Sequence, residues 1–270
     1  MTGRSSIKQE SERAVTALAV SILTSALVFA GALVGMRLRT ALSEDNLGEE
    51  VKDVIRLSTG LLATMAALVL GLLIASAKNT YDTKSSLIRQ ITANIILIDL
   101  DLERYGPDAR HLRLVLRSAI PPLVGQIWSE ADRTKPSSYS ASAEGQELVR
   151  GVQQLQPDND SKHVLQTQLL GNTANLAQER LSLFTESNEG IPAPFLVILI
   201  FWLTIIFTSF GLLVRPDRVR HGRIVIVTFL VGALSVGSAI FLILEMGRPF
   251  DGLMQISSEL PRHALAALGQ

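Results

Sequence analysis

Residues 57–107, LSTGLLATMAALVLGLLIASAKNTYDTKSSLIRQITANIILIDLDLERYGP, decide the architecture of this chain. The first part, Leu57–Ala77, carries no charge and is bounded by Arg56 and Lys78. A helix needs roughly 20 apolar residues to cross a hydrocarbon core of about 30 Å, and this stretch meets that length. In lipid the backbone polar groups must find partners within their own segment, so the span is read as a helix. The second part is polar. Even so, Ile88, Ile91, Ile95, Ile98 and Leu102 recur at spacings of three and four, the mark of one apolar helix face. Nothing between Ala77 and Tyr105 breaks a helix, and Gly106-Pro107 ends it. The expectation is one rod of about 70 Å from Leu57 to Tyr105, joining the membrane to a soluble domain.

Three further stretches have the same character: Ala14–Met36, Gly190–Val214 and Ile224–Leu244, each flanked by charged residues. Ala30-Gly31-Ala32 resembles a signal-peptidase site, but Glu10, Glu12 and the continuing apolar run favour a retained first span. The expected fold is all-α. It has four transmembrane helices and a helical extramembrane bundle inserted between the second and third. The segments are 1–77, 78–189 and 190–270. The spans account for a charged fraction of only 19% beside 47% hydrophobic residues. Lys plus Arg and Asp plus Glu are both 25, so no basic field points to nucleic acid. The absence of cysteine excludes disulfides, thiolate metal sites and a cysteine nucleophile.

Within the insert, Asp108–Ala131 is expected to be a helix, kinked by Pro121-Pro122. Thr134–Ser142 reads as a loop, and Glu144–Leu155 and Asn159–Phe184 read as two more helices. No phosphate loop, GxSxG or HExxH is present, so no catalytic residue, cofactor or metal is expected. Asp99, Asp101 and Glu103 fall on different helix faces and read as a solvated edge. His111 and His163 read as surface residues. No ionisable residue lies deep in a span, which argues against a proton relay but leaves a passive pore open.

Small residues mark close helix packing. Ala63, Ala67, Gly71 and Ala75 form a stripe on the second span, beside a bulky face of Leu61, Met65, Leu68 and Leu72. Gly31 with Gly35, Ala233 with Gly237, and Ser235 with Ala239 share the four-residue spacing. The stripe suits packing within one subunit or assembly around an axis, and spacing alone leaves both open.

Two segments carry a family resemblance: Asn79-Thr80-Tyr81-Asp82, and the fourth span with its tail, FLILEMGRPFDGL from Phe241 to Leu253. Ser257-Ser258-Glu259-Leu260-Pro261 follows. Together they resemble the bestrophin-like family of bacterial membrane proteins, with Tyr81, Asp82, Arg248, Pro249, Phe250 and Gly252 as its marks. The resemblance implies four spans in a bacterial inner membrane, with the large helical domain cytoplasmic. True bestrophins are pentameric anion channels lined by their second helix, with a Pro-Phe-Gly segment after the fourth. Here Asp251 interrupts that segment, the acidic calcium cluster is reduced to Asp251 and Glu259, and the second span has no aromatic residue. Physically, Gly247 and Pro249 stop the fourth helix. Arg248 and Glu245 are placed to pair with charges on a neighbouring helix, and Phe250 to dock against the second.

The functional expectation is a homo-oligomeric passive channel in the lipid bilayer, passing small anions. Leu68, Leu72 and Ala75 are the expected narrow positions, and Lys78 a basic ring at the mouth. The alternative is a non-conducting anchor or sensor whose helical domain binds a protein partner.

Overall fold

The computed structural model describes residues 3–42, 48–128, 143–186, 193–214, 222–250 and 253–257, and among these every regular element is helical. In chain order they are α1 (Gly3–Ala41), α2 (Glu49–Tyr105), α3 (Arg110–Trp128), α4 (Ala143–Gln154), α5 (Asp160–Glu186), α6 (Ala193–Leu213) and α7 (Gly222–Met246). Four helices contain segments long and apolar enough to cross a membrane: Thr16–Ala41, Glu49–Tyr105, Ala193–Leu213 and Arg223–Met246. The expected loop at 134–142, the end of the 108–131 helix and residues 190–192 lie outside the described residues.

The second span is an unbroken helix through Tyr105, as its sequence predicts, but it begins at Glu49, ahead of the apolar stretch. The added polar turns carry the ion pairs Glu49–Lys52 and Asp53–Arg56. Gly106, at φ 103°, takes the chain out of the helix, and a short 3-10 turn at Pro107–Ala109 follows. Few residues other than glycine accept that backbone conformation. The chain divides into two compact units, the described residues of 1–81 with 190–254 and of 82–189 with 255–270.

In the membrane unit, Val28, Ala66, Leu73, Leu199, Leu203, Ile206, Ala233, Ile240 and Ile243 form the core. Backbone approach is closest between α1 and α6. A Cβ built on Gly35 would collide with the Thr208 carbonyl oxygen, and one on Gly211 with the Ala32 carbonyl oxygen. One turn earlier, a Cβ on Gly31 would lie 2.9 Å from Thr208 Oγ1. Residue numbers rise together on the two helices, so the first and third spans run parallel, as alternating crossings require. On α7, a Cβ on Gly237 would collide with Ser25 Oγ, which donates to the Ser21 carbonyl oxygen at 3.0 Å. The Gly31/Gly35 and Ala233/Gly237 pairs are therefore contacts within one chain.

In the second unit, α3, α4 and α5 surround the polar end of α2. Ile98, Leu102 and Tyr105 pack with Ala109, Leu112, Val115, Leu116, Leu148, Val152 and Leu169. The isoleucine face read from the sequence is buried throughout. Helix α3 continues through Pro121 and Pro122, which cannot donate to the carbonyls four residues earlier. Asn159 caps α5 by accepting the Lys162 amide at 2.9 Å.

One expectation fails here. Asp99 and Asp101 are not a solvated edge; both are buried. Asp99 accepts two bonds from Arg113, at 2.9 and 2.7 Å, and Asp101 accepts one from Asn172 Nδ2 at 3.0 Å. Glu103 stays exposed and reaches Arg113 at 3.3 Å. Alternation does place these carboxylates on different faces, but helices α3 and α5 cover two of those faces. The hydrogen bonds that it donates to Asp99 hold the Arg113 guanidinium above its ordinary pKa. Asn94 adds a second rung to α5 by donating to Glu179 Oε1 at 2.8 Å. Lys162 ties the start of α5 to the turn at Gly106 through Asp108 and Asp158, each at 3.0 Å, and those bonds raise its pKa.

Candidate functional site

Helix α2 presents two contrasting faces in the membrane unit. Ala66, Leu73 and Ala77 are buried against the other spans. The opposite side is uncovered: Leu68 keeps 76% of its surface and Leu72 69%, and Leu61 and Met65 are also exposed. Ala75 and Lys78 lie on the same uncovered side. All four expected pore positions, Leu68, Leu72, Ala75 and Lys78, thus share one face of one helix. That face is uncharged until Lys78, the first charge after the span.

Among the described residues most of the small-residue stripe is not a contact within the chain; Ala63 alone of the four packs against the core. Ala63 is half-buried, but Ala67, Gly71 and Ala75 are exposed, and a Cβ on Gly71 would meet nothing within 4 Å. The close contacts of the single chain are made by α1, α6 and α7. Helix α2 turns its Ala66 line to them, and Ala67 lies about 100° further round.

The tail after α7 is built around a buried carboxylate. Helix α7 ends at Met246; Gly247 donates to the Ile243 carbonyl oxygen at 3.1 Å and Arg248 to that of Glu245 at 3.1 Å. Gly247 does so without the left-handed backbone of many glycine stops, since Gly106 is the single positive-φ glycine described. Pro249 and Phe250 are buried. Glu245, only 2% exposed, does not pair with a charged side chain as its position at the helix end suggested. Its Oε1 accepts the backbone amides of Leu253 and Met254, which folds the tail back onto the helix end. Among the described residues these backbone N–H groups are the partners found for the buried carboxylate, and bonds of this kind to a carboxylate are among the stronger hydrogen bonds. Arg248 is exposed, with Nη1 3.5 Å from Thr16 Oγ1 on α1. Tyr81 is half-buried and Asp82 exposed; Gly252, Asp251 and residues 258–261 lie outside the described residues.

Glu245→Ala is expected to speed hydrogen exchange at the Leu253 and Met254 amides about tenfold, and Glu245→Gln less, since a carboxamide oxygen still accepts. Unchanged exchange in Glu245→Ala would refute the latch.

Sequence reading missed the Glu245 acceptor, the Gly211 counterpart of Gly35 and the Asn94–Glu179 and Asp101–Asn172 rungs. Only Gly211 left a trace, as a small residue in an otherwise bulky span. Among the described residues no three His, Asp or Glu side chains converge as a metal site.

No curated protein matches the chain. Solved structures do. One crystal structure of a bacterial bestrophin homologue from Klebsiella pneumoniae superposes with a TM-score of 0.59 at 17% identity, covering 96% of this chain and 100% of its own. A tryptophan-to-alanine variant of such a homologue gives 0.65 at 16% identity, covering 94% and 98%. At that identity the likeness speaks for the fold alone. A family model described as the bestrophin-like domain matches residues 22–260, from the first span to the tail that Glu245 folds back. With four apolar helices, a helical insert after the second and that match over nearly its whole length, the chain belongs to the bestrophin-like family of membrane proteins.

Proposed function

We propose that the chain assembles with copies of itself around an axis lined by α2 and passes small anions passively through a bacterial inner membrane. The observation that carries this reading is the uncovered face of α2, bearing Leu68, Leu72, Ala75 and Lys78, on the one long helix common to both units. The exposed stripe of Ala67, Gly71 and Ala75 supports close approach between copies of α2. Leu68 and Leu72 would form the apolar narrow part, and repeated Lys78 side chains a cationic ring that draws anions to its mouth. The resemblance of the family to bestrophins, anion channels lined by their second helix, supports the same reading.

Purified protein in planar lipid bilayers is expected to show discrete conductance steps with chloride more permeant than sodium. Lys78→Glu should reverse that preference, because it replaces a ring of positive charge by a negative one. A silent bilayer, together with a monomeric or dimeric particle in detergent, would reject the channel. The helical domain is assigned to the cytoplasm by analogy with bestrophins. Reporter fusions at Ser138 and at the C-terminus should both report cytoplasmic, and periplasmic signals from both would reverse the orientation.

A further inference from the structure

We infer that the tail at Leu253 and Met254 lies against lipid, as an apolar cover held over the end of the fourth span at the boundary between acyl chains and headgroups. The phase of α7 carries this placement. Val227, Val231, Leu234 and Leu242 keep 44–57% of their surface and form the uncovered side of the helix. At about 100° per residue, Glu245 falls within about 20° of Val227 and Leu234, so it belongs to that side. Yet Glu245 is only 2% exposed. The tail lies over that side at its last turn, where the Leu253 and Met254 amides both donate to Glu245 Oε1.

The depth follows from length. The apolar helix Arg223–Met246 has 24 residues, about 36 Å, against a hydrocarbon core of about 30 Å. Its ends therefore reach the headgroup boundary, and Glu245 lies in its last turn. A carboxylate turned toward acyl chains is costly, because water is scarce there. The chain's own tail meets that need with two backbone N–H donors. The residues of α7 that allow close approach, Ala233 and Gly237, are buried, whereas the four large residues of the uncovered side are bulky and apolar. Such a side suits lipid better than a second helix.

The outer surface of the cover is apolar. Leu253 keeps 72% of its surface and Met254 41%, whereas Pro249 and Phe250 turn inward. A lone exposed leucine on a protein in water means little. Here two adjacent large apolar side chains are presented by a segment clasped to the uncovered side of a membrane-spanning helix. They continue the apolar surface of Val227 to Leu242. Buried apolar area is what holds a segment in the membrane interface. Glu245 thus fixes the tail's backbone, and the tail's side chains meet the bilayer. This inference rests on the four membrane spans and not on the channel reading.

The chain has no cysteine, so a single spin label reports one position. Leu253→Cys, labelled with a nitroxide and reconstituted in phosphatidylcholine vesicles, is read by power saturation against oxygen, which concentrates in lipid, and a nickel chelate, which stays in water. Val231→Cys on the uncovered side of α7 gives the lipid reference, and Gln168→Cys, exposed on α5, the water reference. Oxygen should exceed the nickel chelate at residue 253, as at 231, and the ratio should reverse at 168. With Glu245→Ala added, the ratio at 253 should shift toward that at 168, while the ratio at 231 stays and shows the spans intact. A label at 253 that favours the nickel chelate would overturn the placement, since the tail would then face water. So would an immobilised label screened from both reagents, the signature of a protein cover such as a second copy. A ratio at 253 unmoved by Glu245→Ala would overturn the carboxylate's part in holding the cover.

Discussion

A Gly35→Leu chain is expected to insert into the membrane but to lose its folded four-span unit. At Gly35 the first carbon of any side chain already meets the Thr208 carbonyl oxygen, and the reciprocal position Gly211 meets the Ala32 carbonyl oxygen. These are backbone obstacles, so no rotamer change relieves them; α1 and α6 must separate. In lipid no hydrophobic force draws them back, because the tails are as apolar as the leucine, and association depends on close contact. Overpacking in a core costs about 1–3 kcal/mol when side chains can yield. Here the loss should exceed ~3 kcal/mol, a large part of a typical total of about 5–15 kcal/mol. Aggregated protein on size exclusion, or a detergent-unfolding midpoint moved far toward the native side, would register it. The matched control is Gly71→Leu, where an added Cβ meets nothing within 4 Å. That chain should fold normally, and in the channel reading only its assembly and conductance should change. A well-folded Gly35→Leu protein would refute the α1–α6 interface.

Arg113→Ala should be nearly as damaging in the helical domain. Asp99 is 5% exposed, and the two bonds from Arg113 are the ones identified at its carboxylate. Removing the guanidinium strands a buried negative charge, which typically costs about 3–5 kcal/mol. Arg113 is partly exposed, so the lower end of that range is expected. The double change Asp99→Leu with Arg113→Met should recover most of the loss, because matched apolar groups leave neither a charge nor an unmet hydrogen bond. Thermal unfolding followed by circular dichroism, read as a double-mutant cycle, gives both numbers. A single-variant loss below about 1 kcal/mol would mean that water reaches Asp99 and the pair is a surface contact.

The uncovered face of α2 shows what a single chain leaves unfinished. A span in contact with lipid on that side needs only bulky apolar residues. Yet the small residues Gly71 and Ala75 lie there beside Leu68 and Leu72, with Lys78 at the end. Small side chains gain little from lipid but allow a second helix to approach. The proposed assembly rests on that mismatch.

The four spans, the unbroken run of α2 past the membrane and its stop at Gly106 were legible in the sequence. Each follows from local rules: uninterrupted apolar length, the period of Ile88 to Leu102, and a glycine-proline break. The side each residue faces was only partly legible. The isoleucine face pointed inward as its period implied, because in water apolar residues have one destination. In the membrane that signal is lost, since lipid and protein interior are equally apolar. Leu73 and Leu72 are adjacent and alike, yet one is buried and the other exposed. For the same reason, only the folded unit separates the Gly35 contact from the open Gly71 stripe. Charged partners at long range were hidden as well. Nothing near Asp99 or Glu245 in sequence announces the Arg113 fork or the Leu253 and Met254 amides. Local sequence determined which segments are helices and where they meet lipid; the packing of those helices decided which carboxylates are buried and which face of α2 remains open.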